Sequence, residues 1–237
     1  MIISASIVFG KDFDQIYENI SVLENLGINW FHIDSSDGYF SPNLTFGPMV
    51  LKSLRRRCNS FIEVHALIKN PLKYIQDFKA AGADSIIIHY EADETPQLTL
   101  REIRKIGLKA GLALNPATDV SVIKWMLEDL DLLSIVGVYP GYPNQKITPR
   151  IIAKIRAAKE LLLTEGFENI VLEGCGVSSL NIREMLDAGC DVVVSGKDLL
   201  NAPSLNEKIS EYKKLAGERP ESIALSFAKT WKPAVNK

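Results

Sequence analysis

Short apolar runs alternate with longer amphipathic ones eight times along this chain, and no single motif constrains the fold as strongly. Ile2–Val8 reads as a strand and Asp12–Asn25 as a helix, with Phe13, Ile16, Tyr17, Ile20 and Leu23 at helical spacing. Further strands are expected in the stretch opening at Trp30, then at Phe61–Leu67, Ser85–His89, Leu108–Leu114, Leu132–Val138, Ile170–Glu173 and Asp191–Val194. Helices are expected between and after them at Val50–Arg56, Pro71–Ala81, Leu98–Ile106, Val120–Glu128, Pro149–Thr164, Leu180–Ala188 and Leu205–Leu215. Eight such units joined by right-handed crossovers close into an α/β, single-domain (β/α)8 TIM barrel. An open doubly wound sheet would want a glycine-rich fingerprint after the first strand, which Ile7-Val8-Phe9-Gly10 lacks. Residues 1–216 are assigned to the barrel and 217–237 to a C-terminal extension. In that extension Arg219-Pro220 and Lys232-Pro233 argue against one continuous helix. Ile223, Leu225, Phe227 and Trp231 call for apolar cover there, on the barrel exterior or on a second subunit.

Active sites of such barrels lie at the C-terminal strand ends, so the polar residues there are the ones to collect. They are Ser6, His32, Asp34, His65, His89, Glu91 and Asn115, with loops at Tyr139–Gln145, Gly174–Gly176 and Ser195–Lys197. His32 and Asp34 are two residues apart and project to one face of a strand. With His65 from the next strand they offer two nitrogens and an oxygen, a set suited to zinc, iron or manganese. Gly174, Cys175, Gly176, Gly196 and Lys197 stand where barrels often hold a phosphate, with Lys197 able to add charge. Plain glycine turns leaving strands would give the same pattern.

Composition excludes several classes. The 237 residues are 46% hydrophobic and carry 27 basic against 29 acidic side chains, a net charge of −2. No broad basic surface for nucleic acid follows, and Arg55-Arg56-Arg57 is a local run. Three cysteines without CxxC spacing suit a reducing cytoplasm. No apolar run has the length of a membrane helix, and no basic leader opens the chain.

At this point the motifs converge. HIDSSDGYFSPNLTFGP, EVHALIKNPLKYI, AGADSIIIHYEA, AGLALNPAT, YPGYPNQ and AGCDVVVSG occur in order between about Ile3 and Leu200. In them the chain resembles the ribulose-phosphate 3-epimerases and their relatives acting on other ketose phosphates. The resemblance implies a divalent ion, zinc first and iron or manganese after it, bound by His32, Asp34, His65 and an aspartate after the seventh strand. It implies that Asp34 and that aspartate serve as acid and base on opposite faces of the carbon next to the ketone, through an enediolate. Ser6, Gly141, Gly174, Cys175, Gly176, Gly196 and Lys197 fall around the implied substrate and its phosphate. A cytoplasmic homo-oligomer is expected, with no membrane or nucleic-acid partner.

The chain also departs from that pattern. Where the family reads EVDGGV, this chain has Leu172-Glu173-Gly174-Cys175-Gly176-Val177. Ungapped alignment places Gly174 at the aspartate, with Glu173 one residue early and pointing away from the barrel interior. Ser36, Leu67 and Val136 replace three methionines, Pro143-Asn144 alters the PGFGG loop, and Lys197 replaces a serine. Epimerisation needs a positioned group on each face. The departures therefore keep two alternatives beside a 3-epimerase: an isomerase, aldolase or decarboxylase using Asp34 on one face, or a non-catalytic sugar-phosphate binder.

Overall fold

Eight parallel strands close in sequence order into a barrel: β1 (Ile2–Ser6), β2 (Trp30–Ser36), β3 (Phe61–Leu67), β4 (Ser85–His89), β5 (Lys109–Leu114), β6 (Leu132–Val136), β7 (Val171–Cys175) and β8 (Val192–Ser195). The computed structural model describes residues 2–7, 15–142, 145, 147, 150–219, 223, 224 and 227. Expectations for Val8, Phe13, Pro143, Asn144, Pro149, Leu225 and Trp231 lie outside the described residues. The outer layer comprises α1 (Ile16–Asn25), α2 (Pro48–Arg55), α3 (Ile75–Ala81), α4 (Pro96–Lys105), α5 (Arg150–Thr164), α6 (Ile182–Asp187), α7 (Lys197–Leu200) and α8 (Leu205–Ala216). The helix expected at Val120–Glu128 is instead two 3₁₀ turns, Val120–Trp125 and Leu127–Asp129, with the Asp119 carboxylate accepting from the Ser121 amide at the start. Pro71–Tyr74 is likewise a 3₁₀ turn, preceding α3. Among the described residues no helix is long and apolar enough to cross a membrane.

Strand alternation divides the core in two. Side chains such as Phe31, Ile33, Ile62, Val64, Ile86, Ile88, Leu112 and Leu133 pack outward against the helices. The barrel interior holds a second cluster that includes Trp30, Phe61, Ile87, Leu132, Val171, Cys175 and Val192. Gly111 belongs to this inner packing: a Cβ there would come within 2.7 Å of Ile87 Cγ1, so the missing side chain makes room for the isoleucine. The bottom of the interior is apolar, and buried histidines and carboxylates lie above it.

Two described residues of the C-terminal extension, Ala224 and Phe227, cover that floor. Ala224 is fully buried in the interior cluster, and the Phe227 ring stacks on Trp30 at 5.6 Å and meets Phe61 edge-on at 5.9 Å. Lys109 Nζ lies 4.9 Å from the Phe227 ring centroid. For Phe227 the cover thus lies at the N-terminal end of the strands, not on the outer helical face. Burying one such ring is worth about 1.5–3 kcal/mol, so truncation after Ala216 should destabilise the barrel by about that amount or more. Thermal unfolding measures it: Tm should fall by roughly 2–4 °C for each kcal/mol lost, and an unchanged Tm would show that the floor is closed without the extension.

Candidate active site

The mouth is built on β2 and β3, whose register pairs Asp34 with His65. All three histidines of the chain are inside the barrel and buried. His65 Nδ1 lies 2.8 Å from Asp34 Oδ1, His32 Nε2 lies 3.3 Å from the same oxygen, and the two nitrogens are 3.2 Å apart. The structure therefore brings His32, Asp34 and His65 together, as their strand positions predict. Ser6 donates to the other Asp34 oxygen at 3.2 Å.

Hydrogen bonds behind these groups decide which ring nitrogens face the mouth. His32 Nδ1 lies 2.8 Å from Glu63 Oε1, so a proton on Nδ1 leaves Nε2 bare. On the other side, His65 Nε2 is 2.8 Å from His89 Nε2, and His89 Nδ1 is 3.1 Å from Glu91 Oε2. With Glu91 as the terminal acceptor, each proton in this relay points away from the mouth and His65 Nδ1 is also bare. Glu91 is held in turn by the Asn115 amide at 2.8 Å and by the Thr118 hydroxyl. Two bare nitrogens and a carboxylate oxygen, 2.8–3.3 Å from one another, form a donor set that fits a divalent cation with ligand bonds of about 2.0–2.2 Å.

Without a cation, the charges put a further proton into that donor set, on His32 Nε2. Burial works against a charged His32, but Asp34 and Glu63 outweigh it and hold its pKa well above the usual imidazole value. Burial holds His65 down, to about 4, against the pull of Asp34. Asp34 has burial against it as well, and the two histidines nonetheless keep it far below the ordinary carboxylate range. The proton His32 retains is the one a cation would displace.

Beneath this cluster lies a polar layer of which the sequence reading named only Glu173, and that as pointing away from the interior. Glu63 and Glu173 are both fully buried. Ser4 donates to Glu63 at 3.1 Å and Ser134 to Glu173 at 2.7 Å. Burial first, and the neighbouring Glu63 charge second, push the Glu173 pKa well above the normal range, so it keeps its proton. Oε2 of each glutamate is buried without a partner among the other groups, and one proton shared between the pair satisfies both. The signal was present at Glu63, which precedes His65 by two residues and so shares its face.

On β7 the structure corrects the expected alternation. Val171, Glu173 and Cys175 face the interior, whereas Leu172 and Gly174 face the helices. Pairing to β6 matches Ser134 with Glu173 and Val136 with Cys175, which fixes this phase. A Cβ on Gly174 would lie 2.8 Å from Cys190 Sγ and 3.4 Å from Met185 Sδ, both behind the strand. Gly174 does not stand at the mouth; Cys175 does, with its Sγ 3.2 Å from Ser134 Oγ and 3.3 Å from Glu173 Oε1.

Above these groups opens a cavity of about 910 Å³ lined by Ser6, Gly141, Cys175, Gly176, Gly196 and Lys197, among others, but not by Gly174. Gly141 adopts φ +83°, and its carbonyl accepts from Asn43 Nδ2 at 3.1 Å, which ties the loop after β6 to the loop after β2 across the rim. The amides of Gly176 and Val177 both donate to Val194 O, at 3.2 and 2.9 Å, so they are committed inside the fold.

Loss of the support behind His32 is directly testable. Glu63→Gln should lower divalent-metal affinity roughly 10–100-fold, as removal of an outer carboxylate partner does elsewhere. Isothermal titration with zinc measures this, and equal affinities would show that Glu63 does not set the His32 tautomer.

Comparison with known proteins agrees with the site. Residues 2–200 match the model of the ribulose-phosphate 3 epimerase family. A ribulose-phosphate 3-epimerase of Synechocystis is 35% identical over 222 residues, covering 93% of this chain and 96% of that protein. The Escherichia coli K12 ribulose-phosphate 3-epimerase is 35% identical over 205 residues, 86% of this chain and 91% of its own. The Arabidopsis thaliana chloroplastic ribulose-5-phosphate-3-epimerase is 33% identical over 227 residues, 95% and 80% of the two chains. Among solved structures, a Pyrococcus furiosus tryptophan synthase α-subunit superposes with a TM-score of 0.67 at 16% identity, covering 89% of this chain and 96% of that one, a likeness of fold alone. The inner barrel, the strand-end cluster and these matches agree: the chain belongs to the ribulose-phosphate 3-epimerase family.

Proposed function

We propose that this chain is a metal-dependent 3-epimerase of a ketose phosphate, with ribulose 5-phosphate as the first substrate to try. The observation that carries this reading is the pairing of Asp34 on β2 with Cys175 on β7 across one mouth, with Glu173 directly beneath the thiol. His32, Asp34 and His65 would hold a divalent ion, and that ion would supply Lewis-acid stabilisation for the negative charge developing on the substrate's oxygens. Asp34, steadied by Ser6, removes the C3 proton from one face. β7 serves the other face, where Cys175 reaches the cavity and the protonated Glu173 stands 3.3 Å behind it. Since the Gly176 and Val177 amides are committed, the phosphate is assigned to the β8 side, around Gly196 and Lys197. The buried, unpaired Cys58, Cys175 and Cys190 fit the reducing cytoplasm expected for such an enzyme.

Proton NMR of ribulose 5-phosphate in deuterated water tests the proposal. An epimerase gives the C3-inverted ketose carrying deuterium at C3. Exchange of the C3 proton without inversion would favour a one-sided enzyme, and neither exchange nor inversion in the zinc-loaded protein would favour a binder.

A further inference from the structure

Given an ion at His32, Asp34 and His65, the premise proposed above, we infer that Cys175 completes its coordination, so that the site is two imidazoles, a carboxylate and a thiolate. Cys175 Sγ, a His32 ring nitrogen and a Glu173 carboxylate oxygen all lie within 4.8 Å of one another. His32 is also a member of the trio with Asp34 and His65, so one imidazole belongs to both groups. The surroundings of the thiol differ from those of an inert core cysteine, which behaves as a small hydrophobe. Cys175 instead touches a serine hydroxyl and a carboxyl group and lines the cavity.

Coordination replaces the S–H bond by an S–metal bond and releases the thiol proton to water, since only the thiolate is a ligand. Glu173 keeps its own proton and so adds no second negative charge next to the sulfur. A soft sulfur donor beside two imidazoles selects zinc or cobalt over magnesium or manganese. Cys175, like Asp34, then serves both as a ligand and in proton transfer.

The test is cobalt(II) titration of the full-length, metal-stripped protein under reducing conditions, read by absorbance. The unmodified chain should show visible ligand-field bands together with a near-ultraviolet thiolate-to-cobalt charge-transfer band. Cys175→Ser should keep the visible bands, lose the charge-transfer band and bind cobalt more than about tenfold more weakly, while a Cys58→Ser/Cys190→Ser double variant keeps both sets of bands. Bound cobalt without a charge-transfer band in the unmodified chain, or a band that survives Cys175→Ser, overturns the thiolate and leaves the His32–Asp34–His65 site standing. No cobalt binding by the unmodified chain overturns both. Because the unmodified chain gives the decisive spectrum, a poorly folded variant does not remove the test; Cys175→Ala serves as the second variant.

Discussion

Asp34→Asn should lower epimerisation of ribulose 5-phosphate by about 10²–10⁴-fold, the usual worth of one general acid–base group. Removal of an anionic metal ligand adds to the loss, so the assay belongs at saturating metal. The pattern of the loss is more telling than its size. A two-face mechanism uses Asp34 to take the proton from one epimer and the β7 group to take it from the other. Inversion needs both groups, so Asp34→Asn should suppress it in both directions. Wash-out of the C3 proton into deuterated water should vanish from one epimer and persist from the other. Equal suppression of wash-out from both epimers would mean that Asp34 acts as a metal ligand only, and the assignment of a base role would fail. Asp34 is held far below the ordinary carboxylate range, so it stays charged through the neutral region and its own titration should not limit the rate there.

Sequence periodicity carried most of the fold because a parallel barrel strand must present apolar groups to the helices outside it. Every expected strand is found, with ends shifted by a residue or two, as at Val171–Cys175 and Leu132–Val136. The segment after β5 shows where periodicity stops being informative. Val120, Ile123 and Leu127 fit a helical spacing, yet the chain forms 3₁₀ turns there, where the Asp119 side chain caps the start of the first. Apolar spacing reports which side chains are buried, not which backbone hydrogen bonds form. His32, Asp34 and His65 were legible because strands project alternate residues to one face and sequential strands are neighbours in a barrel. Glu63 and Ser134 were overlooked because they lie one level below the strand ends, where attention to the mouth does not reach, and Glu173 was read as pointing outward. The β7 phase could not be read from an ungapped alignment. A one-residue difference in where the strand leaves the barrel reverses inside and outside for every residue on it, and only pairing to Ser134 and Val194 fixes it.

That reversal makes opposite predictions for two neighbouring substitutions. Alignment alone says that Gly174→Asp restores the missing carboxylate. The structure says that it drives a charged group into the layer between β7 and the helices, where a Cβ already meets Cys190 Sγ at 2.8 Å and where Met185 and Ile155 close the space. An uncompensated buried charge costs about 3–5 kcal/mol, and at roughly 2–4 °C for each kcal/mol in a chain of this size, Tm should fall by on the order of 10 °C with no gain in inversion. Cys175→Asp instead places the carboxylate at the cavity, within the reach of Ser134 that the sulfur has now. In the metal-free protein it adds a negative charge beside Glu173 and Glu63 and should destabilise; added zinc should recover that stability, because a cation beside three carboxyl groups offsets their repulsion. With zinc bound, inversion of ribulose 5-phosphate should be retained or raised, while the charge-transfer band of the cobalt form is absent. Thermal unfolding with and without zinc, beside the deuterium assay, separates the two variants. Should Gly174→Asp fold normally and raise inversion while Cys175→Asp does neither, the inward face of β7 has been assigned to the wrong residues, and Gly174 is the position that fronts the substrate.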